Sequence, residues 1–165
     1  MAEPVTAKVR TCLWFDGDAE DAASFYVSLL HGSRIENVAH VPDGMPDEMP
    51  ITTGDVMMVD FTLAGTPYQA MNGGMAMPRN EYASISVLTD DQDETDRLWN
   101  ALIEGGREVQ CGWCRDRFDI PWQIVPRRFL ELMQGEPNRR SRVMNAMFAM
   151  TKFDIAALEV AAEDA

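Results

Sequence analysis

Phe15-Asp16-Gly17-Asp18-Ala19-Glu20-Asp21-Ala22-Ala23-Ser24-Phe25-Tyr26-Val27-Ser28-Leu29-Leu30-His31-Gly32 decides the fold, because the chain says it a second time. Phe15, Asp18, Phe25, Tyr26, Leu29, Leu30 and Gly32 return in the same order and spacing as Leu88, Asp91, Leu98, Trp99, Leu102, Ile103 and Gly105. A second echo follows each copy, Pro67-Tyr68-Gln69-Ala70-Met71 and then Pro121-Trp122-Gln123-Ile124-Val125. Two related modules are the simplest explanation, and paired modules frame a cleft whose equivalent positions can be compared for chemistry.

Each copy reads as a strand, a helix and further strands. Val9 to Phe15 is short and β-rich and meets Asp16-Gly17-Asp18; Ala22, Phe25, Tyr26, Leu29 and Leu30 then follow the stripe of an amphipathic helix. Gly32 stops that helix. In the second copy Ala83 to Leu88 is the predicted strand, Thr89 to Gln92 offers a capping box, and Thr95, Leu98, Trp99, Leu102 and Ile103 carry the stripe up to Gly105-Gly106. The helix echo is offset by about 73 residues and the Pro-Gln echo by about 54, so the first module holds roughly 19 extra residues, placed around 41–59. Pro42, Gly44, Pro46, Pro50 and Gly54 make this stretch turn-rich: either a mobile loop at the mouth of a cleft or a plain surface excursion. After Pro126 the chain turns helical, with Val143, Met144, Met147 and Met150 as a packing stripe and Asp154 as the cap of a last helix carrying Ile155 and Leu158. The predicted organisation is one domain over 1–165: module 1 at 5–76, module 2 at 80–127 and a C-terminal helical segment at 128–165.

Composition excludes several classes of function. A chain of 165 residues with a net charge of −13 lacks the basic footprint that nucleic acids and anionic membrane surfaces require. No apolar run approaches the roughly 20 residues that cross a bilayer, and the N-terminus has no charged-then-apolar signal pattern, so a cytoplasmic protein is expected. The three cysteines, an odd number, suit a reducing compartment rather than a disulfide framework. Arg127, Arg128, Arg139, Arg140 and Arg142 stand out in so acidic a chain, either as a salt-bridged surface or as partners for an anion.

Leu13-Trp14-Phe15-Asp16-Gly17-Asp18-Ala19-Glu20-Asp21-Ala22 with Phe25-Tyr26 resembles the first strand and helix of the PhnB-like proteins, often labelled 3-demethylubiquinone-9 3-methyltransferase domain proteins. These lie in the vicinal oxygen chelate superfamily of glyoxalase I and the bleomycin-resistance proteins. Phe61-Thr62-Leu63-Ala64-Gly65, Met71-Asn72-Gly73-Gly74, Gln110-Cys111-Gly112-Trp113, Trp122-Gln123-Ile124-Val125-Pro126 and Asp154-Ile155-Ala156-Ala157-Leu158 extend the resemblance over nearly the whole chain. It implies an α+β fold of two tandem βαβββ modules, whose strands curve into an eight-stranded, partly open barrel or cleft, usually in a homodimer, followed here by C-terminal helices. In metal-dependent members the cleft ligands are His, Gln or Glu on the first and last strands of each module. The matching positions here are Thr11, Gln69, Ser84 and Gln123.

Two hydroxyls and two neutral amides are poor ligands for a divalent metal, and His31 and His40 fall outside the predicted cleft strands, so neither metal nor cofactor is expected. Thr11, Leu13 and Phe15 are predicted on one strand face, with Ser84 and Ser86 on its equivalent and Gln69, Gln123 and Trp113 beside them. Such a set suits the orientation of a small organic molecule, the expected partner; otherwise these groups bond one another in a closed core. The methyltransferase label finds no support, since no two glycines flank a single residue as a nucleotide-binding turn requires. Cys111-Gly112-Trp113-Cys114 offers a redox pair or a packed turn, and Cys111 is the one candidate nucleophile, with no histidine predicted beside it. Three readings remain: a metal-free binder, a metal-independent enzyme using Gln69, Gln123, Ser84 or Cys111, and a structural dimer whose cleft is filled by Trp113 and Trp122.

Overall fold

The computed structural model describes residues 7–44, 46, 50–78 and 80–163. The chain divides into two compact units, Met1–Pro78 and Arg79–Ala165. In the first, β1 (Thr11–Phe15), α1 (Ala19–Leu29), β2 (Arg34–His40), β3 (Val56–Leu63) and β4 (Thr66–Asn72) give the βαβββ order that the family resemblance implies. The strands form a mixed sheet in the order β1-β4-β3-β2, with β1 parallel to β4 and the other pairs antiparallel. The second unit repeats the plan with β5 (Ile85–Thr89), α2 (Gln92–Ile103), β6 (Arg107–Glu108), β7 (Trp113–Arg115) and β8 (Pro121–Pro126), in the order β5-β8-β7-β6. It also carries α3 (Arg127–Leu132), α4 (Pro137–Phe148) and α5 (Ile155–Glu163). The fold is therefore α+β: two four-stranded mixed sheets, each with a helix on one face, and C-terminal helices.

Each helix buries the side its apolar spacing predicts. In α1, Ala19, Ala22, Ala23, Tyr26 and Leu29 are buried, and the alanines bring the helix close to its sheet. Tyr26 meets Phe61 at a ring distance of 6.3 Å, and Phe61 stacks on Tyr68 at 5.4 Å. In α2, Leu98, Trp99 and Leu102 are buried almost completely, a burial that contributes about 2 kcal/mol for each side chain. The capping box of α2 lies two residues beyond its predicted place. Asp91 is the N-cap and accepts from Glu94 N at 2.8 Å, and Glu94 returns the bond to Asp90 N at 2.8 Å. Thr89 instead ends β5, buried, with its hydroxyl 2.7 Å from that of Thr95.

The strands begin later than predicted, at Thr11 and Ile85. That shift exposes a slip in the repeat. Gln69 pairs with Cys12, and Gln123 pairs with Ser86; Tyr68 pairs with Thr11, and Trp122 with Ile85. By strand pairing, Thr11 corresponds to Ile85 and Cys12 to Ser86, an offset of 74, whereas the helices keep the offset of 73 that relates Tyr26 to Trp99. The cause is the turn: Asp16, Gly17 and Asp18 join β1 to α1, while only Asp90 and Asp91 join β5 to α2. Aligning Thr11 with Ser84 is thus corrected by one residue. In a strand, one residue moves a side chain to the opposite face.

The C-terminal helices bury Leu132, Val143, Met147, Phe153, Leu158 and Ala162 together, with Met144, Met150 and Cys111 packed against them. Asp154 caps α5 through Ala157 N at 3.0 Å, as predicted. One side chain clasps this cluster to α2: Gln92 accepts from Ile155 N at 2.9 Å and donates to Phe153 O at 3.1 Å and Asp96 Oδ1 at 2.9 Å. Of the outstanding arginines, Arg127 pairs with Asp90, Arg128 with Glu131 and Glu159, and Arg142 donates to the carbonyls of Ala161 and Ala162 at the end of α5.

Candidate functional site

Strand pairing sorts the predicted site residues onto two faces of each sheet. In module 1, Thr11, Leu13 and Phe15 share a face with Val59, Phe61, Tyr68, Ala70 and Asn72, the face against which Tyr26 of α1 packs. Phe15 is 1 % exposed there, part of the helix-side core. Gln69 lies on the far face, with Cys12, Trp14, Met58, Asp60, Thr62 and Met71. In module 2, Ser86, Gln123 and Trp113 share the far face, and Ser84, just before β5, joins them by accepting from Gln123 Nε2 at 2.8 Å. Trp122 is on the helix face, buried, with its indole N–H donated to Asp116 Oδ2 at 2.8 Å. Alternation therefore brings Ser84, Ser86, Trp113 and Gln123 together, and separates Thr11, Leu13 and Phe15 from Gln69.

The far face of module 1 holds a polar network that the sequence reading did not single out. Arg10 pairs with Asp60 at 2.8 Å, and Gln69 Nε2 donates to the same Asp60 Oδ1 at 3.0 Å and to Met58 Sδ at 2.7 Å. Thr62 Oγ1 donates to Glu36 Oε1 at 2.6 Å, and Glu36 pairs with Arg34. A signal existed in Val56-Met57-Met58-Val59-Asp60-Phe61, where a carboxylate interrupts an apolar strand and so demands a partner. Trp14 spans this side of the module by lying over Gly73, where an added Cβ would come within 1.7 Å of the indole, and it donates to Met75 O at 2.8 Å.

A cavity of about 390 Å³ lies elsewhere in module 1, where the β1–α1 turn meets the inserted stretch. Asp16, Glu20, Asp21 and Asp55 line it with Pro50, Ile51 and Asn72. Both ends of the Asn72 amide are engaged: its Oδ1 accepts from Gly17 N and Ala19 N at 3.0 Å each, and its Nδ2 donates to Val56 O at 2.8 Å. That amide thereby supplies the helix-end partner that Asp18, whose side chain makes no cap bond, does not. The predicted insertion at 41–59 overlaps β3, which begins at Val56, and its positions 45 and 47–49 lie outside the described residues. Val41 is buried and anchors the stretch by exchanging backbone bonds with Gly54 and Asp55.

The cysteines differ sharply in setting. All three are free. Cys114 is fully buried, and burial, aided by the carboxylates of Asp116 and Glu108, pushes its thiol up to about 12. Such a thiol stays protonated at neutral pH and is a poor nucleophile. Cys111 sits in a left-handed turn at φ 60° and donates its backbone N–H to Met150 O at 2.9 Å, so it serves as a junction with the C-terminal helices. Cys12 is exposed, and partial burial of its thiol raises its pKa despite the nearby Arg10.

The far-face donors do not fit a divalent metal. Gln69 is tied to Asp60 and Met58, Asp60 is neutralised by Arg10, and module 2 offers an amide and hydroxyls. Among the described residues no group of three or more His, Cys, Asp or Glu is placed to hold a metal ion. His31 is exposed, and His40 Nδ1 lies 3.0 Å from Gly54 O. No described helix is long and apolar enough to cross a membrane.

No curated protein matches this sequence. The protein family described as 3-demethylubiquinone-9 3-methyltransferase matches residues 7–125. A solved PhnB protein from Bacillus cereus is 24 % identical, with 73 % of this chain and 99 % of that one covered at a TM-score of 0.65. A protein from Pseudomonas aeruginosa is 25 % identical over 73 % of this chain and 98 % of that one, at 0.57. The fosfomycin resistance protein FosX from Mesorhizobium loti is 14 % identical over 83 % of this chain and 98 % of that one, at 0.49. The chain belongs to the family described as 3-demethylubiquinone-9 3-methyltransferase.

Proposed function

We propose that this chain binds a small organic molecule on the far faces of its sheets, without a metal. The supporting observation is the pair of glutamines at corresponding strand positions. Gln69 and Gln123 each have an amide nitrogen already bonded within the face, amid Trp14, Met58 and Met71 in one module and Trp113 in the other. Fixed polar groups among apolar ones orient a ligand. Thr11, Leu13 and Phe15 lie behind the site on the helix side of the same strand, where Phe15 is buried, Leu13 half-buried and Thr11 exposed.

The enzymatic alternative needs an acid or base poised for proton transfer. Asp60 is held in an ion pair and Cys114 is held protonated, which favours binding over catalysis. Transfer of a methyl group from a sulfonium cofactor has no glycine-rich turn to use: the β1–α1 turn carries one glycine between two aspartates. The same reading takes the chain to be a cytoplasmic homodimer, in keeping with its free cysteines and its family; sedimentation equilibrium checks the dimer.

Titration of a library of small organic molecules against the fluorescence of the four tryptophans tests the proposal. Saturable quenching that disappears in Gln123→Ala or Gln69→Ala is the expected result. Absence of any response, with both variants folded, overturns it in favour of a structural dimer.

A further inference from the structure

We infer that the molecule taken by the far face of module 1 is a small organic cation bearing N–H donors on an apolar body, not an oxyanion; this rests on the reading of that face as a binding site. Hydrogen accounting carries the inference. Both hydrogens of the Gln69 amide are engaged, one on Asp60 Oδ1 and one on Met58 Sδ. A carboxylate paired with arginine can only accept, so Asp60 fixes which way the amide is turned. The Thr62 hydroxyl gives its hydrogen to Glu36, and the Trp14 indole gives its own to Met75 O. Three side-chain donors of this face are thus already committed.

What stays available is a set of acceptors: Gln69 Oε1, the second oxygen of Asp60 and the lone pairs of Thr62, none of which accepts from a described residue. Asp60 has only 14 % of its side chain exposed, so an approaching charge meets it with little solvent between. The cationic groups Arg10 and Arg34 each already face a carboxylate, Asp60 and Glu36. An ammonium finds acceptors here, on a strand face that also carries the apolar side chains of Met58 and Met71. An oxyanion meets oxygen lone pairs and a second carboxylate, and has the outer N–H groups of Arg10 to set against them. Module 2 lacks this bias: Ser84, Ser86 and Gln123 are neutral, hydroxyls serve in either sense, and the charged side chain sharing their face, Arg115, is a cation already paired with Glu81 and Asp119.

Three probes of one shape separate the possibilities: benzylamine, benzyl alcohol and benzoate, titrated at neutral pH into the full chain labelled with nitrogen-15. The Gln69 side-chain amide and Trp14 indole signals are followed. Benzylamine is expected to shift both saturably, at least tenfold more tightly than benzoate, with benzyl alcohol between them. Asp60→Asn is expected to remove most of the benzylamine preference, read as the ratio of benzylamine to benzyl alcohol affinity falling towards one. Because that variant also unpairs Arg10, Thr62→Val serves as a second, milder change and is expected to weaken benzylamine severalfold. Benzoate binding as tightly as benzylamine, or an amine preference unchanged in both folded variants, overturns the inference while leaving the face a binding site. No shift with any probe overturns the binding reading itself.

Discussion

The two modules share a plan and differ where it matters. In module 1 a three-residue turn joins strand to helix, an asparagine from another strand ties that turn down, and the far face holds ion pairs. In module 2 a two-residue turn caps its own helix through Asp91, and the far face sets a neutral Ser84–Gln123 pair beside Arg115, a cation already paired with Glu81 and Asp119. The hairpins differ too. β3 and β4 are joined by Ala64-Gly65, both at positive φ, as a tight two-residue turn requires. β7 and β8 are joined by a longer loop organised on one carboxylate: Asp116, 2 % exposed, accepts from Phe118 N, Ile120 N and Trp122 Nε1. Next to it, buried Arg115 pairs with Glu81 and Asp119, and that hydrogen bond from Arg115 is the main reason the Glu81 carboxyl titrates lower than usual. One module thus relies on backbone geometry where the other relies on a buried charge.

The sharpest way to break this comparison is Asp116→Ala. It leaves three N–H groups without their partner, and a loss of about 3 kcal/mol or more in urea unfolding is expected. A loss below about 1 kcal/mol would show the loop to be held by something else. Asn72→Ala removes the partner of three backbone groups in module 1, and about 2 kcal/mol is expected, with faster amide exchange at Ala19 and the start of α1 and no change in α2.

Titration sharpens the contrast further. Cys114 has a folded pKa of about 12 against an ordinary 9.0, so its contribution to stability is complete below about pH 9 and is lost as pH rises towards 12. Cys114→Ala is expected to flatten the fall in stability over that window. In the native wild type, iodoacetamide at neutral pH should label Cys12 and spare Cys114; equal labelling would contradict the burial. The smallest effect is a gain. Ala64 holds φ at 46°, a region costly for any residue with a Cβ, so Ala64→Gly is expected to stabilise by about 0.5–1 kcal/mol, read as a higher thermal midpoint.

The repeat was legible because helices advertise themselves: Tyr26 and Trp99, or Leu29 and Leu102, occupy matching places because each must meet a sheet. Faces were less legible. Strand alternation has a period of two, and a single extra residue in the turn at Asp16-Gly17-Asp18, invisible to the helix echo, inverts every assignment upstream of it. For the same reason Ser84, Ser86, Trp113 and Gln123 come together while Thr11, Leu13 and Phe15 turn towards α1. Arg10 and Asp60 escaped notice because they are 50 positions apart and belong to no motif; only the sheet introduces them. Threonine suits the role of a cap, yet pairing with Pro126 keeps Thr89 in β5, and Asp91, two residues on, caps α2 instead.

Gln92 gives the C-terminal helices a meaning beyond packing. The family match ends at residue 125, before α3 begins, yet the residue that holds α5 in place sits well inside the matched part. An accessory secured by its host at a helix start is wired to that start: trimming the accessory would leave Gln92 without its partners on the Phe153–Ile155 backbone, and loosening α2 would release the accessory. The second module and the tail are therefore better regarded as one structural unit than as a domain with an appendage.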